Sequence, residues 1–371
     1  MRIAVLGLRG FPGVQGGVEK HCQELYPRLT RHGCEITVLA RKGYVKEDPY
    51  VYQGVKIVPL SCPKKKSLEA ICHTAAGLAW LASHRRDYDI VHLHAIGPSL
   101  LTLLARWLGF RVVVTNHGPD YDRRKWGAVA KSMLRLGERF GTLHAHQVIA
   151  VSKHIKTGLK AKYGKMAQYI PNGVNIPAKV STMQALNDFG LEPGRYILAV
   201  GRLVPEKGFH DLLEAFAKID SGWKLVIVGR ADHQDYYSNT LIQQAKQINN
   251  VVMAGFQKGR RLAELYSNGG LFVLPSYHEG LPIVALEAMS YNLPILLSDI
   301  SANREIARPN ETFPVGNREA LASKLRAFLD DPSTMVSPRS LSENRKRLES
   351  EFNWDIIAQQ TVALYQAVLS S

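Results

Sequence analysis

Cysteine is scarce, with four in 371 residues, and Cys22, Cys34, Cys62 and Cys72 form no C-x-x-C pair and no closely spaced framework. A disulfide scaffold and a zinc knuckle are therefore not expected, and the four are read as reduced core thiols of a cytoplasmic protein. Long apolar runs are lacking too. The longest weakly polar stretch, Ala70 to Ser83, is broken by His73 and Thr74 and falls short of the roughly 20 residues that a spanning helix needs. At the start, Arg2 is followed by a short apolar stretch ending at Arg9 with no small-residue cleavage site, so neither a leader peptide nor export is expected. No internal repeat and no low-complexity tract is present.

The chain is hydrophobic at 46% and charged at 21%, the make-up of an ordinary globular protein, and its length suits two domains. Its net charge of +15 is unevenly spread. Residues 1–170 hold 27 Lys+Arg against 11 Asp+Glu, a net of +16, and the remainder nets −1. A basic half implies a polyanionic or membrane-surface partner, or else a solvated surface kept for solubility. Nucleic acid is not expected.

Apolar, β-rich runs alternate with helical patterns along both halves. In the first, "RIAVLGL", "EITVLAR", "VKIVPLS", "DIVHLHA", "RVVVTNH" and "HQVIAVS" read as strands, with helices near Val18 to His32, Ser67 to Arg86 and Pro98 to Leu108. The second half repeats the plan with "RYILAVG", "WKLVIVG", "VVMAGF", "LFVLPS" and "PILLSD". Near-continuous Val/Ile/Leu runs are those of parallel strands covered on both faces. The fold class is therefore α/β, with two doubly wound Rossmann-like domains and ligands at the carboxyl ends of the strands. Between them "YIPNGVNIPAKVS" has the composition of a hinge. A boundary near Asn172 gives domains of 1–171 and 172–353.

The first strand is followed by "GLRGFPGVQGGVEKH". Its glycines do not form G-x-G-x-x-G, and the second strand ends in Arg41 rather than an acidic residue, which argues against a nicotinamide cofactor. What remains is a loop bringing Gly16 and Gly17 to a helix amino end, where backbone N–H groups can meet an anion or a sugar hydroxyl. In "GRLVPEKGF", Gly201 and Arg202 end a strand and Lys207 opens the next helix, so two cations can neutralise a diphosphate. Downstream, "PSYHEGLPIVALEAMS" places Glu279 before a helix and Glu287 inside it. At about 1.5 Å per residue the two carboxylates stand roughly 10 to 12 Å apart. That is too far for one dyad, but it fits a sugar and a ribose joined by a diphosphate, with the N–H groups after Gly280 facing the phosphate.

Together "GGVEKH", "VTNHG", "YIPNGVN", "GRLVPEKG", "EGLPIVALEA" and the closing "FNWDIIAQQTVALYQAVL" resemble a retaining glycosyltransferase of family 4 with the GT-B fold. The resemblance covers essentially the whole chain. It implies two domains facing across a deep cleft, an acceptor-side first domain, a donor-binding second domain and a final helix, 354–371, crossing back to the first. Arg202 and Lys207 would bind the donor diphosphate, Glu279 the transferred sugar and Glu287 the ribose diol. The main chain around Phe256 and Gln257 would read the base. His117 would contact the sugar, and it joins Arg202, Lys207 and Glu279 as a catalytic candidate.

Gly16, Gly17, Gly201, Gly280, Leu281, Pro282 and Ile283 complete the donor set, and Glu19, Lys20, His21, Asp120 and Tyr121 are placed on the acceptor side. His92 and His94 are read as satisfied core groups. Two D-x-D tripeptides, Asp87 to Asp89 and Asp120 to Asp122, do not stand in the family's donor site, so no metal and no other cofactor is expected. The expected reaction moves a hexose from a UDP- or GDP-sugar to a hydroxyl with retention, in bacterial cell-surface polysaccharide assembly on a lipid-diphosphate carrier. The enzyme would be cytoplasmic, touching the membrane peripherally through Lys64, Lys65, Lys66 and Arg123, Arg124, Lys125. A sugar-nucleotide epimerase of similar build, or a non-catalytic sugar-nucleotide binding protein, is the alternative.

Overall fold

The computed structural model describes residues 1–62, 69–122, 127–232 and 235–370. Among them the chain divides into two units, Met1–Gly173 with Asn353–Ser371, and Val174–Phe352.

The first unit is built on an eight-stranded sheet of β1 (Arg2–Leu6), β2 (Glu35–Arg41), β3 (Tyr50–Tyr52), β4 (Val55–Leu60), β5 (Ile90–His94), β6 (Arg111–Asn116), β7 (Gln147–Ala150) and β8 (Gln168–Tyr169). Their order is β3-β4-β2-β1-β5-β6-β7-β8. Every pairing is parallel except β3 with β4. Ile3 to Leu6 and all of β5 are buried, as strands covered on both faces must be. The antiparallel hairpin β3–β4 turns through Gln53 (φ 46) and Gly54 (φ 85), the pair of positive φ values that a two-residue hairpin turn requires. One side of the sheet packs on a core of Leu25, Tyr26, Val38, Ile57, Trp354 and Tyr365. The last helix, Trp354–Ser370, belongs to this unit and is tied to the helix Gly17–Arg31 by Arg28 and Asp355 at 3.1 Å.

The second unit holds β9 (Tyr196–Val200), β10 (Lys224–Val228), β11 (Val251–Gly255), β12 (Leu271–Leu274), β13 (Ile295–Ser298) and β14 (Thr312–Phe313). All are parallel, in the order β11-β10-β9-β12-β13-β14. Renumbered within the unit this is 3-2-1-4-5-6, the doubly wound dinucleotide-binding order.

The helix expected from Pro98 to Leu108 is a 3-10 turn, Pro98–Leu101, followed by a short α-helix, Thr102–Trp107. The hydroxyls of Ser99 and Thr102 bond to the carbonyls of Ala95 and Ser99 at 2.8 and 2.7 Å, competing with a regular helical ladder. The four cysteines are free thiols, and two of them, Cys62 and Cys72, are only half-buried. No helix among the described residues is long and apolar enough to cross a membrane.

Candidate functional site

Each sheet has a point where the strand order reverses, between β1 and β5 in the first unit and between β9 and β12 in the second. The loops leaving neighbouring carboxyl ends diverge there and open a crevice. Of the residues singled out in the sequence, Gly16 lies on the loop after β1, Gly201, Arg202 and Lys207 on that after β9, and Glu279 to Pro282 on that after β12.

In the second unit Gly201 and Arg202 follow β9, and a 3-10 turn, Pro205–Lys207, closes on Gly208 (φ +67). A Cβ on Gly208 would stand 2.1 Å from the Pro275 carbonyl oxygen, which follows β12. Glycine thus lets the two loops approach and places Lys207 beside Glu279. The Lys207 ammonium donates to Glu279 Oε1 at 2.6 Å, with side chains only 15% and 11% exposed, and the Ser276 hydroxyl donates to the same oxygen at 2.6 Å. Burial pushes the Glu279 carboxyl up, but the Lys207 charge and the two hydrogen bonds outweigh it and hold the group below its ordinary value.

Arg202 is not part of this pair. Its guanidinium donates to Asp232 at 2.8 Å, a residue that the sequence reading did not single out. The only signal for it was an acidic residue just past the carboxyl end of β10.

Beyond Glu279, Gly280 leads to buried Leu281 and to Pro282, which stands at the amino end of the helix Ile283–Ser290. That end carries positive potential. Glu287 lies within the helix and accepts from the Tyr266 hydroxyl at 3.2 Å. Phe256 and Gln257 follow β11. The Arg230 guanidinium lies over the Phe256 ring at 5.0 Å, and Gln257 donates to the Ala254 carbonyl at 2.6 Å.

In the first unit the loop after β1 reaches the helix Gly17–Arg31 through Gly16. A Cβ at Gly16 would stand 2.0 Å from Glu19 Oε2, whereas one at Gly17 meets nothing within 4 Å. Buried Glu19 turns back onto the partly buried Arg9 at 3.0 Å. Burial raises its carboxyl and the Arg9 charge more than reverses that. Lys20 bonds Glu24 along the same helix at 2.8 Å. Tyr121 is buried with Glu138, and the half-exposed Lys162 side chain reaches both; Asp120 lies beside Tyr121 in a 3-10 turn.

His117, just past β6, is brought to His94 at the end of β5, with Nε2 and Nδ1 2.9 Å apart. The His21 ring meets His117 edge-on, centroids 5.0 Å apart, and its Nδ1 donates to Asn172 Oδ1 at 2.9 Å. Behind them His94 Nε2 meets the Tyr26 hydroxyl at 2.5 Å, and His92 Nδ1 meets the hydroxyls of Tyr26 and Tyr365 at 3.1 and 2.6 Å. Burial strips these imidazoles of water and favours their neutral forms. His21 is pushed down to about 4 and His92 to about 3, with His94 and His117 well below the ordinary 6.5.

His94 is buried and bonded, yet it also supports His117, a connection that the sequence reading missed. The available signal was that "VHLHA" and "VTNHG" end neighbouring strands, with His94 in register with Thr115. Of the D-x-D residues, Asp89 is tied to Arg2 at 2.7 Å. The runs 64–66 and 123–125 lie outside the described residues.

Residues 15–177 match the family described as Glycosyltransferase Family 4, and residues 187–348 the family described as Glycosyl transferases group 1. The phosphatidyl-myo-inositol mannosyltransferase of Mycobacterium leprae is 27% identical over 390 residues, covering 100% of this chain and 98% of the relative. Among solved structures, sucrose-phosphate synthase from Thermosynechococcus elongatus superposes with a TM-score of 0.84 at 24% identity, covering 100% of this chain and 99% of that one. Anabaena HepE, solved in complex with UDP-glucose, superposes with a TM-score of 0.81 at 18% identity, covering 99% and 100%. Two parallel Rossmann-like sheets and two family matches that between them span most of the sequence lead to one conclusion: the chain belongs to the family 4 glycosyltransferases of GT-B fold.

Proposed function

We propose that the enzyme moves a hexose from a nucleotide diphosphate sugar to a hydroxyl acceptor with retention of anomeric configuration. The second unit holds the donor and the first handles the acceptor. The observation that carries this reading is the Lys207–Glu279 pair at the carboxyl ends of β9 and β12. A diphosphate arriving there takes Lys207 as a counter-ion, and Glu279, released from that bond, becomes free to accept from a sugar hydroxyl. Arg202, Lys207 and the amino end of the helix Ile283–Ser290 then stabilise the leaving diphosphate as its charge develops. Glu287 takes the ribose diol, and the main chain at Phe256 and Gln257 takes the base. A donor of this class also fits the relative solved with UDP-glucose.

The reading extends to an acceptor carried on a lipid diphosphate at an anionic membrane, in cell-surface polysaccharide assembly. The basic excess of residues 1–170 supports it. So does the helix Ala128–His144, whose exposed face carries Val129, Leu136 and Leu143 at seven-residue spacing, with Arg135 and Arg139 between them. Exposed Trp107, Leu103 and Leu104 lie on the neighbouring helix. An apolar stripe with cations beside it is the composition of an interfacial helix.

The test is a thermal-shift screen against UDP, GDP, dTDP and their sugars, followed by transfer to a lipid-diphosphate saccharide with the product's anomeric configuration read by NMR. A ligand at 100 times its Kd adds about 2.7 kcal/mol. Failure of every nucleotide to stabilise the enzyme, or an inverted product, overturns the reading.

A further inference from the structure

We infer that His21, His94 and His117 form a three-imidazole site for Zn²⁺. One ring nitrogen from each lies within 4.8 Å of the other two. Tetrahedral zinc, at about 2.0–2.1 Å from each nitrogen, holds its ligand nitrogens about 3.3 Å apart. The 2.9 Å between His94 Nδ1 and His117 Nε2 and the 4.8 Å limit for the set bracket that value.

A second observation points to the same ligand. His21 is 2% exposed, and its Nε2 is buried without a hydrogen-bond partner. With Nδ1–H donating to Asn172, Nε2 carries a lone pair. A buried acceptor without a donor has lost its water without compensation, and a cation at this point satisfies it.

The outer contacts are those that zinc histidines use. His21 donates its other N–H to the Asn172 amide oxygen, and His94 can donate Nε2–H to the Tyr26 hydroxyl, which orients both rings and raises their basicity as ligands. Trp354 stands edge-on to His21 at 5.4 Å and forms an apolar wall. Neutral imidazoles suit zinc, copper and nickel, whereas magnesium and manganese prefer oxygen ligands. The ion takes the place of the proton shared by His94 and His117, and that proton moves to His117 Nδ1, so each ring stays neutral. His117 is the one partly exposed member of the three, which leaves the entry route and the fourth, water-filled position on its side.

Zinc bound here occupies His117 and inhibits transfer. This consequence rests on the reading that His117 meets the sugar, whereas the site itself does not.

The experiment uses the full chain, stripped with a chelator and desalted, with zinc titrated against a chromophoric chelator at pH 7. One zinc per chain is expected. His21→Gln and His117→Gln each weaken it by about 100-fold or more, and Asn172→Ala by about tenfold, while exposed His32→Gln leaves it unchanged. X-ray absorption of the zinc-loaded wild type needs no variant and is expected to show three imidazoles. No zinc retained, fewer than three imidazoles, or an affinity indifferent to His21→Gln and His117→Gln overturns the site. Inhibition whose midpoint follows the binding curve supports both site and consequence. Binding without inhibition upholds the zinc site and removes His117 from sugar contact.

Discussion

Glu279→Gln separates what Glu279 does for stability from what it does for transfer. Its carboxylate holds Lys207 at 2.6 Å with both side chains largely buried. Breaking a buried pair by removing one partner costs about 3–5 kcal/mol. Glutamine keeps an oxygen for Lys207 and Ser276 and loses only the charge, so the expected cost is about 2–3 kcal/mol. For a unit of this size that is a fall of about 4 to 12 °C in melting temperature.

The pH dependence carries the sign. The Glu279 carboxyl is held below its ordinary 4.5 in the folded protein, with Lys207 overcoming the effect of burial. A depressed carboxyl contributes stability that is complete above the unfolded value and is lost as pH falls through the folded one. The difference between wild type and variant is therefore constant above about pH 5 and shrinks towards more acid conditions. Chemical denaturation of both proteins from acid to neutral pH measures it. In the same variant a neutral oxygen holds Lys207 less tightly against a diphosphate, so affinity for a nucleoside diphosphate is retained or increased, while transfer falls at least about tenfold, roughly 1.4 kcal/mol of barrier. A stability gap that ignores pH refutes the ion-pair argument, and near-normal turnover removes Glu279 from the reaction.

Lys207→Ala should weaken a nucleoside diphosphate by about 1.5–3 kcal/mol and the bare nucleoside hardly at all; equal losses by calorimetry would show that Lys207 does not meet the phosphates. Gly208→Ala forces a side chain into a left-handed conformation, about 1–3 kcal/mol on its own, and drives its Cβ into the Pro275 carbonyl, so both stability and nucleotide affinity fall; unchanged melting would contradict the close approach of the two loops. Chelator-treated enzyme is expected to transfer without added Mg²⁺ or Mn²⁺, and a dead enzyme revived by either ion would return attention to Asp120 and Asp122. Vesicles of rising anionic lipid content should bind the protein at about 50 mM salt and release it at about 500 mM. Arg139→Glu should weaken this by about 2 kcal/mol, at about 1 kcal/mol for each charge changed, and binding that ignores lipid charge would speak for a soluble acceptor.

The strands were legible because parallel strands buried on both faces are written as continuous apolar runs; "RIAVL" and "YILAV" can hardly be anything else. Shorter pieces were not. Tyr50–Tyr52 and Thr312–Phe313 are edge strands of three and two residues, too brief for any period to register, although the Gln53-Gly54 turn between two β-branched or aromatic runs was there to be seen. At the site, loops at strand ends were legible from their glycines and charges, but side-chain partners were not. Lys207 and Glu279 are 72 residues apart in the chain and meet because β9 and β12 are neighbours. Strand order is not contained in either strand's own sequence.

The two units share one strand plan but differ in what they place at its reversal. The basic excess lies in residues 1–170, yet the crevice there is lined by imidazoles that burial keeps neutral, and the Arg9 guanidinium on the loop after β1 is held by Glu19. The rest of the chain, with a net charge of −1, places Arg202 and Lys207 at the corresponding point, each held by a carboxylate. A diphosphate needs cations at contact distance, because a charge separated from it by more than a Debye length of water, about 8 Å, is largely screened. Local placement therefore supports the proposal that the second unit is the donor side, against the direction in which net charge points. It leaves the cations of the first unit as a surface property, suited to an extended anionic partner such as a membrane, and its neutral histidine crevice suited to a sugar hydroxyl or a soft metal ion.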